Sequence, residues 1–83
     1  MVWKPDVIAK RLGDTTILVH FPSNTILELN ETGSRIWELI GDSLDIREIV
    51  DVLVEEFVVE RPEALAETLK LIARLEDEKL VIP

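Results

Sequence analysis

The sequence predicts an α+β domain of three short strands followed by three helices, spanning residues 1–83 without a linker. Three observations carry this. The 83 residues suit one domain with one modest core. The front of the chain is rich in β-branched residues and is punctuated by Gly13-Asp14 and Pro22-Ser23-Asn24. The back of the chain carries apolar stripes at helical spacing, each preceded by a capping residue or a proline.

The first strand is expected over about 7–11 (Val-Ile-Ala-Lys-Arg). The second, about 16–21, is Thr-Ile-Leu-Val-His-Phe, a β-branched and aromatic run. The third, about 25–29, follows a short turn and makes a hairpin with the second. Alternation puts Thr25, Leu27 and Leu29 on one face and Ile26 and Glu28 on the other.

Asn30 is placed to cap a first helix over about 31–40, with Glu31 at its positive end. Gly41 is expected in the left-handed position after that helix. Gly33, Ile36, Trp37 and Ile40 share a face, and Gly33 allows close approach to the sheet. The second helix, about 46–57, opens on a capping box of Asp45 and Glu48, with Leu44 and Ile49 as a hydrophobic staple. Its stripe is Ile46, Ile49, Val50, Leu53, Val54 and Phe57.

Pro62 starts a third helix to about Asp77. This helix has two apolar stripes: Leu65, Leu69, Ile72 and Leu75, and beside it Ala64, Thr68, Leu71 and Leu75. One core needs one stripe. The second stripe either packs on the sheet or first helix, or lines a groove. Leu80, Val81 and Ile82 are expected to fold over the core as a tail.

Composition narrows the function. There is no cysteine, which removes disulfides, thiolate metal sites and thiol catalysis and suits a cytoplasmic protein. No apolar run is long enough for a membrane span, and Met1 to Asp14 lacks the apolar stretch of a signal peptide. His20 is the sole histidine and is expected to be structural or solvent-facing, on the face of Leu18. Glu55, Glu56, Glu60 and Glu63 read as a solvated face rather than a calcium loop. No constellation for catalysis, metal or cofactor stands out, so the chain is expected not to be an enzyme.

A hairpin followed by two helices joined by a short turn has the pattern of a winged helix-turn-helix. Its third helix would then face DNA. That helix carries Glu63, Glu67, Glu76, Asp77 and Glu78 against Lys70 and Arg74, and the chain as a whole has a net charge of −8. Phosphates would be repelled, so nucleic acid is a poor partner.

The run Leu29-Asn30-Glu31-Thr32-Gly33-Ser34-Arg35-Ile36-Trp37 resembles the Leu-Asn-Glu-x-Gly-x-x-Ile-Trp signature of PqqD-like proteins. Asp45 to Val50, Leu71 to Leu75 and Lys79-Leu80-Val81 are similar to later parts of that family, although Lys79 stands where the family often has glycine. As a separate short chain it looks most like the B1 proteins of lasso-peptide biosynthesis. The resemblance implies a winged-helix fold with a three-stranded antiparallel sheet. It implies that the leader of a ribosomal precursor peptide adds as a strand along Thr25, Ile26, Leu27, Glu28 and Leu29. The third helix would supply the opposite wall through Ala64, Glu67, Thr68, Lys70, Leu71, Arg74 and Leu75. The implied second partner is a separate B2-type leader peptidase, with the chain a monomer or weak dimer. The alternatives are a PqqD-type peptide chaperone for a radical enzyme in quinone-cofactor synthesis, and a small winged-helix DNA regulator.

Overall fold

A computed structural model describes residues 1–83. The chain order is β1 (Val2–Trp3), β2 (Ile8–Leu12), β3 (Thr15–His20), β4 (Thr25–Leu29), α1 (Glu31–Gly41), α2 (Ile46–Glu56), α3 (Arg61–Asp77) and β5 (Val81–Ile82). Strands β2, β3 and β4 form an antiparallel sheet in that order, giving the expected α+β fold of a three-stranded sheet and three helices.

The turns set the register. Leu12 pairs with Thr15, leaving Gly13 and Asp14 in a two-residue turn. Gly13 has φ 62°, the left-handed value that the first central position of a type II′ turn requires. His20 pairs with Thr25 across the next turn, where Asn24 takes φ 53° and its N–H donates to Phe21 O. This register puts Thr16, Leu18 and His20 on the buried face of β3, opposite Leu29, Leu27 and Thr25. Helix α1 packs on β3 and β4, whereas β2 is exposed along its whole length.

The starts of α1 and α2 follow the sequence, whereas α3 begins at Arg61, one residue before Pro62. Asn30 Oδ1 accepts from Gly33 N at 2.8 Å. Asp45 and Glu48 close the capping box in both directions, at 2.8 and 3.0 Å. The core joins the sheet and helices through Leu18, Ile36, Ile40, Leu53, Leu75 and Leu80, all nearly inaccessible to water.

The chain ends differ from the expectation. The tail is a strand: β5 pairs antiparallel with β1, with Val2 opposite Ile82 and Trp3 opposite Val81. Nothing local to Val2-Trp3 marks it as a strand, because its partner lies at the far end of the chain. Trp3 then stacks on Trp37 with ring centroids 4.8 Å apart and donates its Nε1–H to Trp37 O at 2.9 Å.

This pairing corrects the role of Gly41. The left-handed residue after α1 is Ser43, at φ 63°, while Gly41 is the last residue of the helix. Ser43 N bonds Ile40 O at 2.9 Å and Leu44 N bonds Leu39 O at 3.2 Å, closing a Schellman motif. Gly41 is small for another reason: a β-carbon there would overlap the indole of Trp3. Helix α3 ends in the same motif with Lys79 at φ 58° and a 2.8 Å bond from Leu80 N to Leu75 O. Lysine thus occupies a position that favours glycine.

Candidate functional site

The sheet has two free edges, on β2 and β4. A free edge carries unpaired main-chain donors and acceptors, able to receive another strand. Only one of the two faces a groove. Between β4 and α3 lies an open cleft of about 200 Å³, lined by Leu27, Glu28, Leu29 and Asn30 on one side. Glu67, Lys70, Leu71 and Arg74 line the other side, and Gly33 and Ile36 of α1 form the floor. Strand β2 has no such neighbour; its link to the helices is the exposed Arg11–Glu38 ion pair at 2.7 Å.

Helix α3 runs back along β4. At the closed end, Thr25 Oγ1 donates to Glu78 Oε2 at 3.1 Å, and Ser23 Oγ lies 2.8 Å from Thr25 Oγ1. At the open end, Asn30 and Glu67 border a second cavity, walled by Phe57, Val58 and Val59 of the α2–α3 connection. The groove is thus pinned at the start of β4 and open at its finish. Its floor is kept clear because Gly33 has no side chain: a β-carbon there would stand 3.2 Å from Asn30 Oδ1, 3.4 Å from Leu29 Cβ and 3.6 Å from Leu71 Cδ2. Leu71 therefore projects over the floor as the apolar part of the helical wall.

Charges flank this apolar centre. Glu28 and Glu67 are acidic, and Lys70 and Arg74 are basic. Glu28, Glu67 and Lys70 make no ion pair, and Arg74 reaches Glu78 only at 3.8 Å. These groups are available to a ligand carrying either sign.

Of the residues expected from the sequence, Leu27, Glu28, Leu29, Glu67, Lys70, Leu71 and Arg74 come together around the groove. Thr25 and Ile26 lie on the same strand but do not line it. Ala64, Thr68 and Leu75 are corrected: all three are buried in the core, and the Thr68 hydroxyl is spent on Ala64 O at 2.8 Å. The two stripes of α3 exchange roles. Leu65 and Leu69 are 40% and 45% exposed, while Ala64, Thr68, Ile72 and Leu75 face inward. Asn30, Gly33 and Ile36 were not expected as lining residues. Their signal was partly present, because glycine at position 33 marks a close approach.

His20 is buried, as a structural role requires. Its Nδ1 shares a 2.6 Å hydrogen bond with Ser23 Oγ, and its Nε2 lies 3.0 Å from Asp6 Oδ1 without the alignment of a hydrogen bond. The three residues have the types of a hydrolytic triad, but none of them lines the groove. They tie the hairpin turn to the N-terminal segment. No cluster of three or more His, Asp or Glu side chains is arranged to hold a metal ion, and no helix is long and apolar enough to cross a membrane.

The fold and groove place the chain in the class of small α+β domains that set a free sheet edge against a helix. Residues 15–81 match the family model described as coenzyme PQQ synthesis protein D (PqqD). The chain belongs to the PqqD family. Two solved structures extend the likeness over nearly the whole chain. TbiB1 in complex with the TbiA(beta) leader peptide is 29% identical, with a TM-score of 0.88, and the match covers 96% of this chain and 93% of that one. Lasso peptide synthetase B1 complexed with the leader peptide is 21% identical, with a TM-score of 0.86 and coverage of 98% and 95%; it supports the fold. No curated protein matches the chain.

Proposed function

We propose that this chain binds the leader segment of a ribosomal precursor peptide and presents it to a separate leader peptidase in lasso-peptide maturation. The observation that carries the reading is the free edge of β4 facing Leu71 across an open groove. An extended peptide paired with β4 gains main-chain hydrogen bonds from the edge. Alternate side chains of that peptide then enter the groove and meet Leu71, Glu67, Lys70 and Arg74. The likeness to TbiB1, whose structure holds a leader peptide, supports the same ligand class here. Binding and presentation need no catalytic group in this chain; cleavage belongs to the partner. The acid-rich surface of α3 weighs against duplex DNA.

The test is a titration of the purified chain into fluorescently labelled leader peptide from the precursor encoded beside it. Saturable binding that is lost when β4 residues are replaced supports the proposal. Absence of binding at high micromolar concentration refutes it. The family match itself favours a second reading, a peptide chaperone for a radical enzyme in quinone-cofactor synthesis. Stimulation of leader removal by a peptidase, against stimulation of a radical enzyme, separates the two.

A further inference from the structure

The groove carries its charges in order. Helix α3 runs back along β4, so its early residues stand by the end of the strand and its late residues by the start. Glu67 meets Asn30 at the open end, and Glu63 joins Glu67 in the wall of the cavity beyond. Leu71 sits at the middle, over Gly33 and Leu29, with Lys70 level with it on the helix. Arg74 lies one turn nearer the closed end. That end has one acid of its own, Glu78, but its carboxylate is occupied by the Thr25 hydroxyl, and Lys70 and Arg74 outnumber it. From open end to closed end the helical wall is acidic, then apolar, then basic.

Strand β4 repeats the acidic end on its other face. Glu28, the last residue but one of β4, ends the row Lys10, Ile17, Glu28 on the side of the sheet away from the helices. Lys10 is two strands off, at ~10 Å, whereas an added strand would lie ~4.8 Å from β4. A peptide on this edge therefore meets negative charge on both of its faces at the open end, from Glu67 inside and from Glu28 outside.

Direction turns this order into a preference for sequence. Both pairings within the three-stranded sheet are antiparallel, and antiparallel pairing is slightly the more stable per residue. A peptide antiparallel to β4 lays its N-terminal half at the open end and its C-terminal half at the closed end. Glu67 and Arg74 stand ~10 Å apart along α3, at ~1.5 Å per residue. Side chains on one face of a strand recur every ~7 Å. A base and an acid roughly two to four residues apart on the inward row thus reach their partners, with an apolar residue between them on Leu71.

We infer that Glu67 and Glu28 at one end, and Lys70 and Arg74 at the other, set the charge order of the peptide that this groove accepts. That order is basic toward the peptide's N-terminus, apolar at Leu71 and acidic toward its C-terminus. This rests on the peptide-binding reading given above and adds to it a direction and a register. Each exposed pair contributes little, but a peptide of reversed order puts like charges together at both ends, and one that slips along the edge loses both pairs. Selection therefore acts on where the charges stand and not on their sum.

The experiment is a charge scan of the leader peptide from the precursor encoded beside the chain. Lysine, and separately glutamate, replaces each leader residue in turn, and the full chain is titrated into each labelled peptide at low ionic strength with anisotropy as the readout. Within the docked segment, lysine is expected to bind about two- to five-fold more tightly than glutamate at N-terminal positions, with the reverse preference at C-terminal positions. Glu67→Lys combined with Arg74→Glu keeps the net charge and exchanges two exposed side chains. This exchange is expected to invert the preference at inward-facing positions. Should it disturb the fold, Glu67→Gln and Arg74→Gln made singly are each expected to flatten the preference at one end alone.

A parent profile of opposite slope overturns the inference. So does the same profile in the parent and in a folded exchange variant, or an affinity that follows the net charge of the peptide wherever the charge is placed. Failure of the unsubstituted leader to bind the parent chain is a separate result: it removes the peptide-binding reading, and this inference with it.

Discussion

Replacing Leu71 by glutamate tests the groove at its apolar centre. Leu71 is half-buried, packed at the core's margin above Gly33 and Leu29. Full burial of a leucine is worth about 1.5–3 kcal/mol, and part of that is already gained in the free chain. A bound peptide covers the remainder, so Leu71→Ala should weaken leader binding by about 1 kcal/mol, or roughly five-fold. Leu71→Glu loses the same contact and also forces a carboxylate to be desolvated beneath the peptide, at a further ~1–3 kcal/mol. Glu67 lines the same groove on the helical wall and adds repulsion. The expected loss is about 2–4 kcal/mol, or roughly 30- to 1,000-fold in Kd. Anisotropy of labelled leader measures it, with a thermal melt to establish that the variant is folded. Leu65→Glu is the matched control, because Leu65 is exposed and outside the groove. A folded Leu71→Glu protein that binds within two-fold of the parent, or a Leu65→Glu protein that loses binding equally, would refute this account of the groove.

Three further outcomes follow from the packing. Lys79→Gly removes a lysine from a left-handed backbone and should stabilise the fold by about 1 kcal/mol, raising Tm by about 4–8 °C in calorimetry. Gly41→Ala drives a methyl group into the Trp3 indole and should cost about 1–3 kcal/mol, accompanied by a change in tryptophan emission as the Trp3–Trp37 stack opens. Glu56 is held below the usual carboxylate range by its hydrogen bonds from Arg35, at 2.7 and 2.9 Å. A depressed carboxyl contributes stability above its unfolded value of about 4.3, and that contribution is lost as pH falls through the folded value. Glu56→Gln should therefore flatten the acid side of a Tm–pH profile, and only slightly, because the pair is solvent-exposed. An identical acid limb in both proteins would mean that the pair contributes no measurable stability.

The sequence by itself determined whatever depends on neighbours a few positions away. Alternation fixed the faces of Thr25 to Leu29, and the spacing of Asp45 and Glu48 fixed a cap that the structure forms in both directions. The resemblance carried by the run from Leu29 to Trp37 brought Leu27, Glu28, Leu29, Glu67, Lys70, Leu71 and Arg74 forward, and all of them line the groove. Tertiary structure decided what depends on residues far apart. The sequence offered two stripes on α3, and the one with Leu65 and Leu69 was the more apolar. The fold turned Ala64 and Thr68 to the interior and left Leu65 and Leu69 outside, because the packing of α3 on the rest of the chain, and not its own periodicity, selects the inward stripe. The β1–β5 pair joins opposite ends of the chain, and no local pattern in Val2-Trp3 could announce it. Gly41 shows both levels at once. Its place near a helix end suggested a left-handed cap, a local role. The folded chain gives that conformation to Ser43 and keeps Gly41 small because Trp3, thirty-eight positions earlier, lies against it.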